Sequence, residues 1–374
     1  MVETKRLGDI ATYINGYAFK PDDWCKEGLP IVRIQDLTGT SYQQNYYKGD
    51  YPAKIEINDG DVLISWSASL GVHIWDRGKA LLNQHIFKVV FDKVEVDKQY
   101  FVYAVQYNLE NMLSKMHGAT MKHIVKKDFD NIEVPFPTLA EQKRVASILT
   151  YAKDAIEDRK QQLTKLDNLV KSRFVEMFGS IHHSTEYPYL PVEEIASVVS
   201  GGTPSRAKPE YWENGKIPWV KTTELQNNII TTVEEYITEE GLKGSSAKIV
   251  PKNTVLIAMY GQGKTRGMTG FLGIDASTNQ ACACLLPSDK INSVFLWKYF
   301  ELSYTELREM AKGGNQPNLN GNMIKNFPVL MPPMNLQEQF VDFVNQVDKS
   351  KVAIQAALDK TQLLFDSLMQ EYFG

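Results

Sequence analysis

Cysteine is scarce: Cys25, Cys282 and Cys284 are the only three in 374 residues. So sparse and odd a set cannot build a disulfide framework and fits a reducing compartment. Long apolar runs are missing as well, none approaching the ~18 residues that a membrane-spanning helix needs. The opening string MVETKRLGDI carries no apolar signal core, so the expectation is a soluble cytoplasmic protein. An excess of basic charge is also absent. Lys and Arg number 41 against 45 Asp and Glu, a net −4, so this is no uniformly basic nucleic-acid coat. With 43% apolar and 23% charged residues, wholesale disorder is excluded, and the length predicts two or three domains.

What the chain does have is an internal repeat. Pro137-Thr138-Leu139-Ala140-Glu141-Gln142 opens one long proline-free polar stretch, and Pro333-Met334-Asn335-Leu336-Gln337-Glu338-Gln339 opens another. They end on Ser172-Arg173-Phe174-Val175-Glu176-Met177-Phe178-Gly179 and Ser367-Leu368-Met369-Gln370-Glu371-Tyr372-Phe373-Gly374, which share Ser, Glu, Phe and Gly at the same spacing. Upstream, Asn15-Gly16 is echoed by Ser200-Gly201, Leu29-Pro30-Ile31-Val32 by Ile217-Pro218-Trp219-Val220, and Asn83-Gln84 by Asn279-Gln280. The drifting offset is that of loops accepting insertions.

Each half reads as short apolar strands between turn signals: Leu29–Ile34, Asp61–Trp66 and Ile86–Phe91 in the first, Ile217–Thr222, Thr254–Met259 and Ala281–Leu286 in the second. Helical periodicity covers Tyr100–Met116 and Val294–Ala311. The expected organisation is a mixed domain over 1–140, a helix over 141–179, a linker over 180–190, a second mixed domain over 187–335 and a second helix over 337–374. In the first long helix an alternating four-three spacing selects Val145, Leu149, Ala152, Ile156, Arg159, Leu163, Leu166, Val170 and Met177. In the second it selects Phe340, Val344, Val347, Lys351, Ile354, Leu358, Thr361, Phe365, Leu368 and Tyr372. That is the spacing of a coiled-coil seam. A narrow seam needs a partner helix, either in the helix's own domain or in the other long helix. Because a domain intervenes, pairing of the two is expected to be antiparallel.

Pro-x-Leu-x-Glu-Gln opening a long helix, twice in one chain, with each helix ending near Phe-Gly, resembles the specificity subunit of type I restriction–modification systems. The resemblance implies an α+β fold: two pseudo-repeated α/β target-recognition domains joined by two long antiparallel coiled-coil helices. It further implies that each domain reads half of a split double-stranded DNA target. The helices would space the halves and dock two modification (methyltransferase) subunits, with restriction/motor subunits in the full assembly. No cofactor would sit in this chain; S-adenosylmethionine, ATP and magnesium would belong to the partners. The motif residues Leu139, Glu141 and Gln142 match Leu336, Glu338 and Gln339, with Asn335 as an insertion and the second helix slightly the shorter. The docking and spacer candidates are then Glu141, Gln142, Leu149, Ile156, Leu163, Glu338, Gln339, Val347, Ile354 and Leu358.

DNA affinity rests on local phosphate contacts rather than on net charge. Leu113–Lys127 holds Lys115, Lys122, Lys126 and Lys127 without an acid. The loop around Lys264 and Arg266 adds basic charge among glycines that let backbone approach phosphate. Arg206 and Lys208 are further phosphate candidates. Forked amides read adenine, so Asn315, Gln316 and Asn318 are candidate base readers, although Gly-Asn-Pro strings are turn formers too. The competing reading is a two-headed protein-binding adaptor with a coiled-coil stalk and no role on DNA.

Catalytic readings fare poorly. Ala258-Met259-Tyr260-Gly261-Gln262-Gly263-Lys264-Thr265 follows an apolar strand like a nucleotide loop. What comes next, Arg266-Gly267-Met268-Thr269-Gly270, is a poor helix start. No Asn/Asp-Pro-Pro-aromatic motif for adenine methylation is present, and the histidines form no metal-spaced set. Cys282 and Cys284 read as buried small apolar residues rather than zinc ligands. The chain is read as a non-catalytic specificity subunit.

Overall fold

Apolar runs of four or five residues cannot bury one face alone, and in this chain they pair into small sheets closed by helices. The computed structural model describes residues 3–115, 124–311 and 318–374. Lys122, Asn315 and Gln316 lie outside the described residues. In the first half the strands are Thr4–Arg6 (β1), Thr12–Asn15 (β2), Leu29–Val32 (β3), Asn45–Tyr47 (β4), Glu56–Ile57 (β5), Val62–Ser65 (β6), Gly71–Ile74 (β7), Ala80–Leu82 (β8), Ile86–Val90 (β9) and Glu133–Pro135 (β10). Its helices are Leu7–Ile10 (α1), Ile34–Thr38 (α2), Lys98–Lys115 (α3) and Lys126–Asp130 (α4), followed by the 40-residue Leu139–Phe178 (α5). The second half repeats the order. Its strands are Tyr189–Pro191 (β11), Val198–Ser200 (β12), Ile217–Val220 (β13), Asn228–Ile230 (β14), Glu235–Ile237 (β15), Val255–Ala258 (β16), Thr269–Leu272 (β17), Ser277–Thr278 (β18), Cys282–Leu285 (β19) and Pro328–Leu330 (β20). Its helices are Val192–Ile195 (α6), Glu239–Lys243 (α7), Ser293–Leu302 (α8), Tyr304–Met310 (α9) and Gly321–Lys325 (α10), ending in the 40-residue Met334–Phe373 (α11).

The topologies share a common strand order, with β14 added to the larger sheet of the second half and β5 found only in the first. One sheet runs β2-β9-β6-β7 in the first half and β12-β19-β16-β17-β14 in the second. The parallel pair β3–β8 recurs as β13–β18, and the ribbon β1–β10 as β11–β20. All six predicted strands are present within a residue or two. The helix expected over Val294–Ala311 is two helices that meet at the buried Ser303, whose hydroxyl donates 2.8 Å to the Tyr299 carbonyl.

Compact units do not follow the expected sequence segments. One unit is Met1–Lys160 with Gln355–Gly374, and the other is Gln161–Ile354. Each therefore takes one end of α5 and the opposite end of α11. In the first, Val145 and Leu149 share a core with Met369 and Phe373, and the Arg144 guanidinium stands 6.0 Å from the Tyr372 ring. In the second, Phe174 meets Phe340 at 5.5 Å between ring centres, Arg173 lies 5.7 Å from the Phe343 ring, and Lys351 pairs with Asp167. In the second unit residue numbers fall along α5 as they rise along α11, so the pairing is antiparallel. Lys351, an interruption in the expected seam, is thus explained by its ion pair with Asp167.

Three expectations need correction. The helices are equally long and the second motif holds no insertion: Gln142 corresponds to Gln337, not Gln339. Each is buried at the same station. The Gln142 amide accepts from the Asp97 backbone N–H at 3.0 Å and donates to the Pro137 carbonyl at 2.9 Å. Gln337 does the same with Asn292 and Pro332, at 3.0 and 2.8 Å. Glu338 and Gln339 are exposed. The seam also changes phase at the helix ends. Phe178 and Phe373 are buried while Met177 and Tyr372 are only partly so, because there the helix faces a globular core at its natural 3.6-residue period rather than one partner helix. Finally, Leu149, Ile156 and Val347 are buried in the unit cores or the seam, with Leu163, Ile354 and Leu358 half-buried. Burial suits the three to the spacer part of the expectation rather than to docking. Large exposed apolar groups lie elsewhere on the helices, at Tyr151, Leu169, Val352, Leu363 and Leu364, with Tyr151 80% and Val352 71% exposed.

Candidate nucleic-acid interface

The repeated Gly and Asn-Gln landmarks have a structural cause. After β2, Tyr17 bridges to Asn83 in parallel, and its N–H donates to the Leu82 carbonyl at 2.8 Å. A Cβ on Gly16 would stand 2.1 Å from the Asn83 carbonyl oxygen. After β12 the Gly202 N–H donates to Thr278 at 2.8 Å, and a Cβ on Gly201 would meet the Thr278 hydroxyl at 2.1 Å. Only glycine permits two backbones so close. The paired asparagines then hold the turn: Asn83 Oδ1 accepts from the Gln84 N–H at 2.6 Å, and Asn279 Oδ1 from Ala281 at 3.1 Å. Gln84 and Gln280 are left exposed at the same sheet end, with the Thr203 hydroxyl bonded to Gln280.

The loop between β6 and β7, or β16 and β17, borders that end. The Trp66 carbonyl accepts from Ile124 and the Met259 carbonyl from Leu319, each at 3.1 Å, so the chain leaving 116–123 and 312–317 rejoins each unit beside this loop. Asn318, just before Leu319, is exposed. In the second unit the loop carries Gly261, Gly263 and Gly267 at φ 151°, 58° and 85°. Tyr304 and Arg308 of α9 hold it by bonds of 2.7 and 2.8 Å to the carbonyls of Lys264 and Arg266. Lys264 is exposed and Arg266 half-buried. The loop leads into β17, not a helix, which removes the amide fan that a nucleotide phosphate needs. In the first unit Ala68 takes the left-handed conformation at φ 59°, costly for a residue with a Cβ. Ala68→Gly is expected to raise stability by about 0.5 kcal/mol, the relieved clash less the extra entropy of glycine. A fall in melting temperature would contradict the strain.

Three basic candidates are engaged internally. Lys126 is 2.7 Å from Asp130 and 5.7 Å from the Tyr13 ring. Lys208 donates to the Tyr211 hydroxyl at 3.0 Å. Arg206 is ion-paired with Glu235 and lies 3.5 Å from the Trp212 ring centre and 5.1 Å from that of Trp219. Its guanidinium thus has a structural role within the unit, while the side chain remains half exposed. Arg206, helped by Lys221, holds the Glu235 carboxyl below the usual carboxylate range against the opposing effect of burial. A depressed folded-state pKa stabilises above the ordinary carboxylate range and is lost as pH falls through it. Arg206→Ala therefore lowers the melting temperature at pH 7, and the difference from the parent shrinks below about pH 4; a difference independent of pH would contradict the ion pair. The buried Cys284 thiol is pushed up to about 11 by desolvation. Among the described residues no three His, Cys, Asp or Glu gather to hold a metal, and no helix is long and apolar enough to cross a membrane.

Two like units, each presenting a glycine-defined sheet end with amides and a flanking loop, define a duplicated recognition module. The profile of the type I restriction modification DNA specificity domain matches residues 1–167 and again 186–362. The chain belongs to that family, as a specificity subunit with two recognition domains. It is 26% identical over 166 residues to the type I restriction enzyme EcoR124I/EcoR124II specificity subunit of Escherichia coli, covering 44% of this chain and 41% of that one. With the EcoBI specificity subunit of Escherichia coli it shares 23% over 409 residues, covering 98% and 84%. The S subunit of a type I system from M. genitalium has the same fold, with a TM-score of 0.61 at 16% identity, covering 100% and 96%.

Proposed function

We propose that this chain is the non-catalytic reader of a type I restriction–modification enzyme, recognising a bipartite double-stranded DNA target with one half-site per unit. The observation that carries the reading is that one scaffold presents different chemistry at one place: Ser67 and His85 beside Gln84 in the first unit, Gln262 beside the equivalent Gln280 in the second. Two half-sites of unlike sequence call for such a pair. Helices α5 and α11, each continuous from one unit into the other, fix the gap between half-sites. Two modification subunits dock on their exposed apolar side chains, Tyr151, Val352 and Leu363 among them, and restriction subunits complete the assembly. S-adenosylmethionine, ATP and magnesium serve the partners' chemistry in the cytoplasm.

Salt separates this reading from a protein-binding adaptor. Duplex binding by the chain with its modification partner should weaken linearly on a log–log plot as salt rises, by about 0.9 per phosphate neutralised. Lys264→Ala should reduce that slope by about one contact while leaving sequence preference intact. Binding insensitive to salt would overturn the reading.

A further inference from the structure

The two units treat one tryptophan differently. Trp24 follows the single-turn helix Pro21–Asp23, and Trp212 follows its counterpart Pro209–Tyr211, so the two occupy one structural position. In the second unit seven residues separate Gly201 from Pro209, and this longer segment carries Arg206 onto the Trp212 ring at 3.5 Å. In the first unit only four residues separate Gly16 from Pro21, and no arginine is available on that segment. The Arg33 guanidinium stands 5.8 Å from the Trp24 ring, and Ile31 replaces the bulky Trp219 at the equivalent place in the strand. Trp24 is 43% exposed and lines a cavity of about 530 Å3. Residues of the turn and loop already described line it too, Asn83, Gln84, His85 and Ser67, together with Gln35 and Arg33.

A planar cation thus covers the ring in one unit, and an open cavity faces the same ring in the other. We infer that the first-unit cavity binds a single nucleobase, turned out of its stack and laid against Trp24. The size is that of a ligand site. An aromatic face supplies stacking to any base, and the amides of Gln84 and Gln35 are suited to an adenine-type edge. Extrusion costs the base its stacking and pairing partners, which the tryptophan face and the amides replace. The inference rests on the DNA reading only for the origin of the base; the cavity's chemistry is independent of it.

The probe is 2-aminopurine deoxyriboside, a fluorescent isomer of deoxyadenosine, titrated into the full chain. Stacking on Trp24 should quench its emission saturably. Deoxyadenosine should compete, and deoxyribose 5-phosphate should not. Trp24→Leu and Gln84→Ala should each weaken binding by about fivefold or more. Trp24 is largely outside the core and Gln84 is exposed, so both variants should keep the parent melting temperature, and Trp212→Leu should bind like the parent. Quenching that does not saturate, is competed by sugar phosphate, or falls equally in Trp212→Leu would overturn the inference. If salt-dependent duplex binding survives that failure, the DNA reading stands without the pocket. Saturable Trp24-dependent binding in a chain that ignores duplex DNA would keep the pocket and overturn the DNA reading.

Discussion

Deleting 158–164 together with 353–359 should shorten the gap between half-sites by about three base pairs and leave both half-sites unchanged. The two segments are equivalent in the repeat and lie mid-helix, clear of the Gln142 and Gln337 stations and of the aromatic ends. Removing seven residues keeps the four-three seam in phase. At 1.5 Å per residue it removes about 10 Å, and B-DNA rises about 3.4 Å per base pair. The readout is the bound sequence selected by parent and deletant in the presence of the modification partner. An unchanged gap, or altered half-sites, would show that the helices are not the ruler. Deleting the segment from one helix alone puts the seam out of register and should abolish partner-dependent binding.

Phe174→Ala should be the most damaging single substitution for stability, at about 3–5 kcal/mol. Phe174 is fully buried, with Phe178, Phe295 and Phe340 within 5.0–6.0 Å between ring centres. Truncation leaves a cavity where α5, α8 and α11 meet, and the surrounding rings are too rigid to collapse into it. For a unit of this size each kcal/mol moves the melting point by about 2–4 °C, so calorimetry should show the transition of the 161–354 unit falling by roughly 10 °C. Phe174→Leu should lose less than half as much. A loss under 1 kcal/mol would mean that the helix end does not pack as described.

Much of this architecture was legible because a duplication prints the same physical demands twice. Glycines at 16 and 201 recur because two backbones abut there, and Asn83 and Asn279 recur because each closes the same turn. The strands announced themselves through short apolar runs. The register of the second helix is hard to read in sequence because Gln337 and Gln339 flank Glu338, and the Glu-Gln pair matches the first motif more closely than the constant offset at the helix ends does. Phe174 escaped the seam because a coiled-coil period was extended into a region where the helix faces a globular core. The structural partners of Arg206 are not legible, because sequence shows a charge but not what it meets, and Glu235 is distant in the chain. The signal that could have placed it was the echo of Pro21-Asp22-Asp23-Trp24 in Pro209-Glu210-Tyr211-Trp212, with a longer segment before the second. Base-reading chemistry was least legible, since Gln84 and Gln280 become candidates only once the fold displays them.

The most direct measurement is selection of bound duplexes from a random pool by the full chain with its modification partner, followed by sequencing. Two short unlike elements separated by a constant stretch of unspecified bases is the result this account predicts. A single uninterrupted motif, or no enrichment over the starting pool, would contradict it.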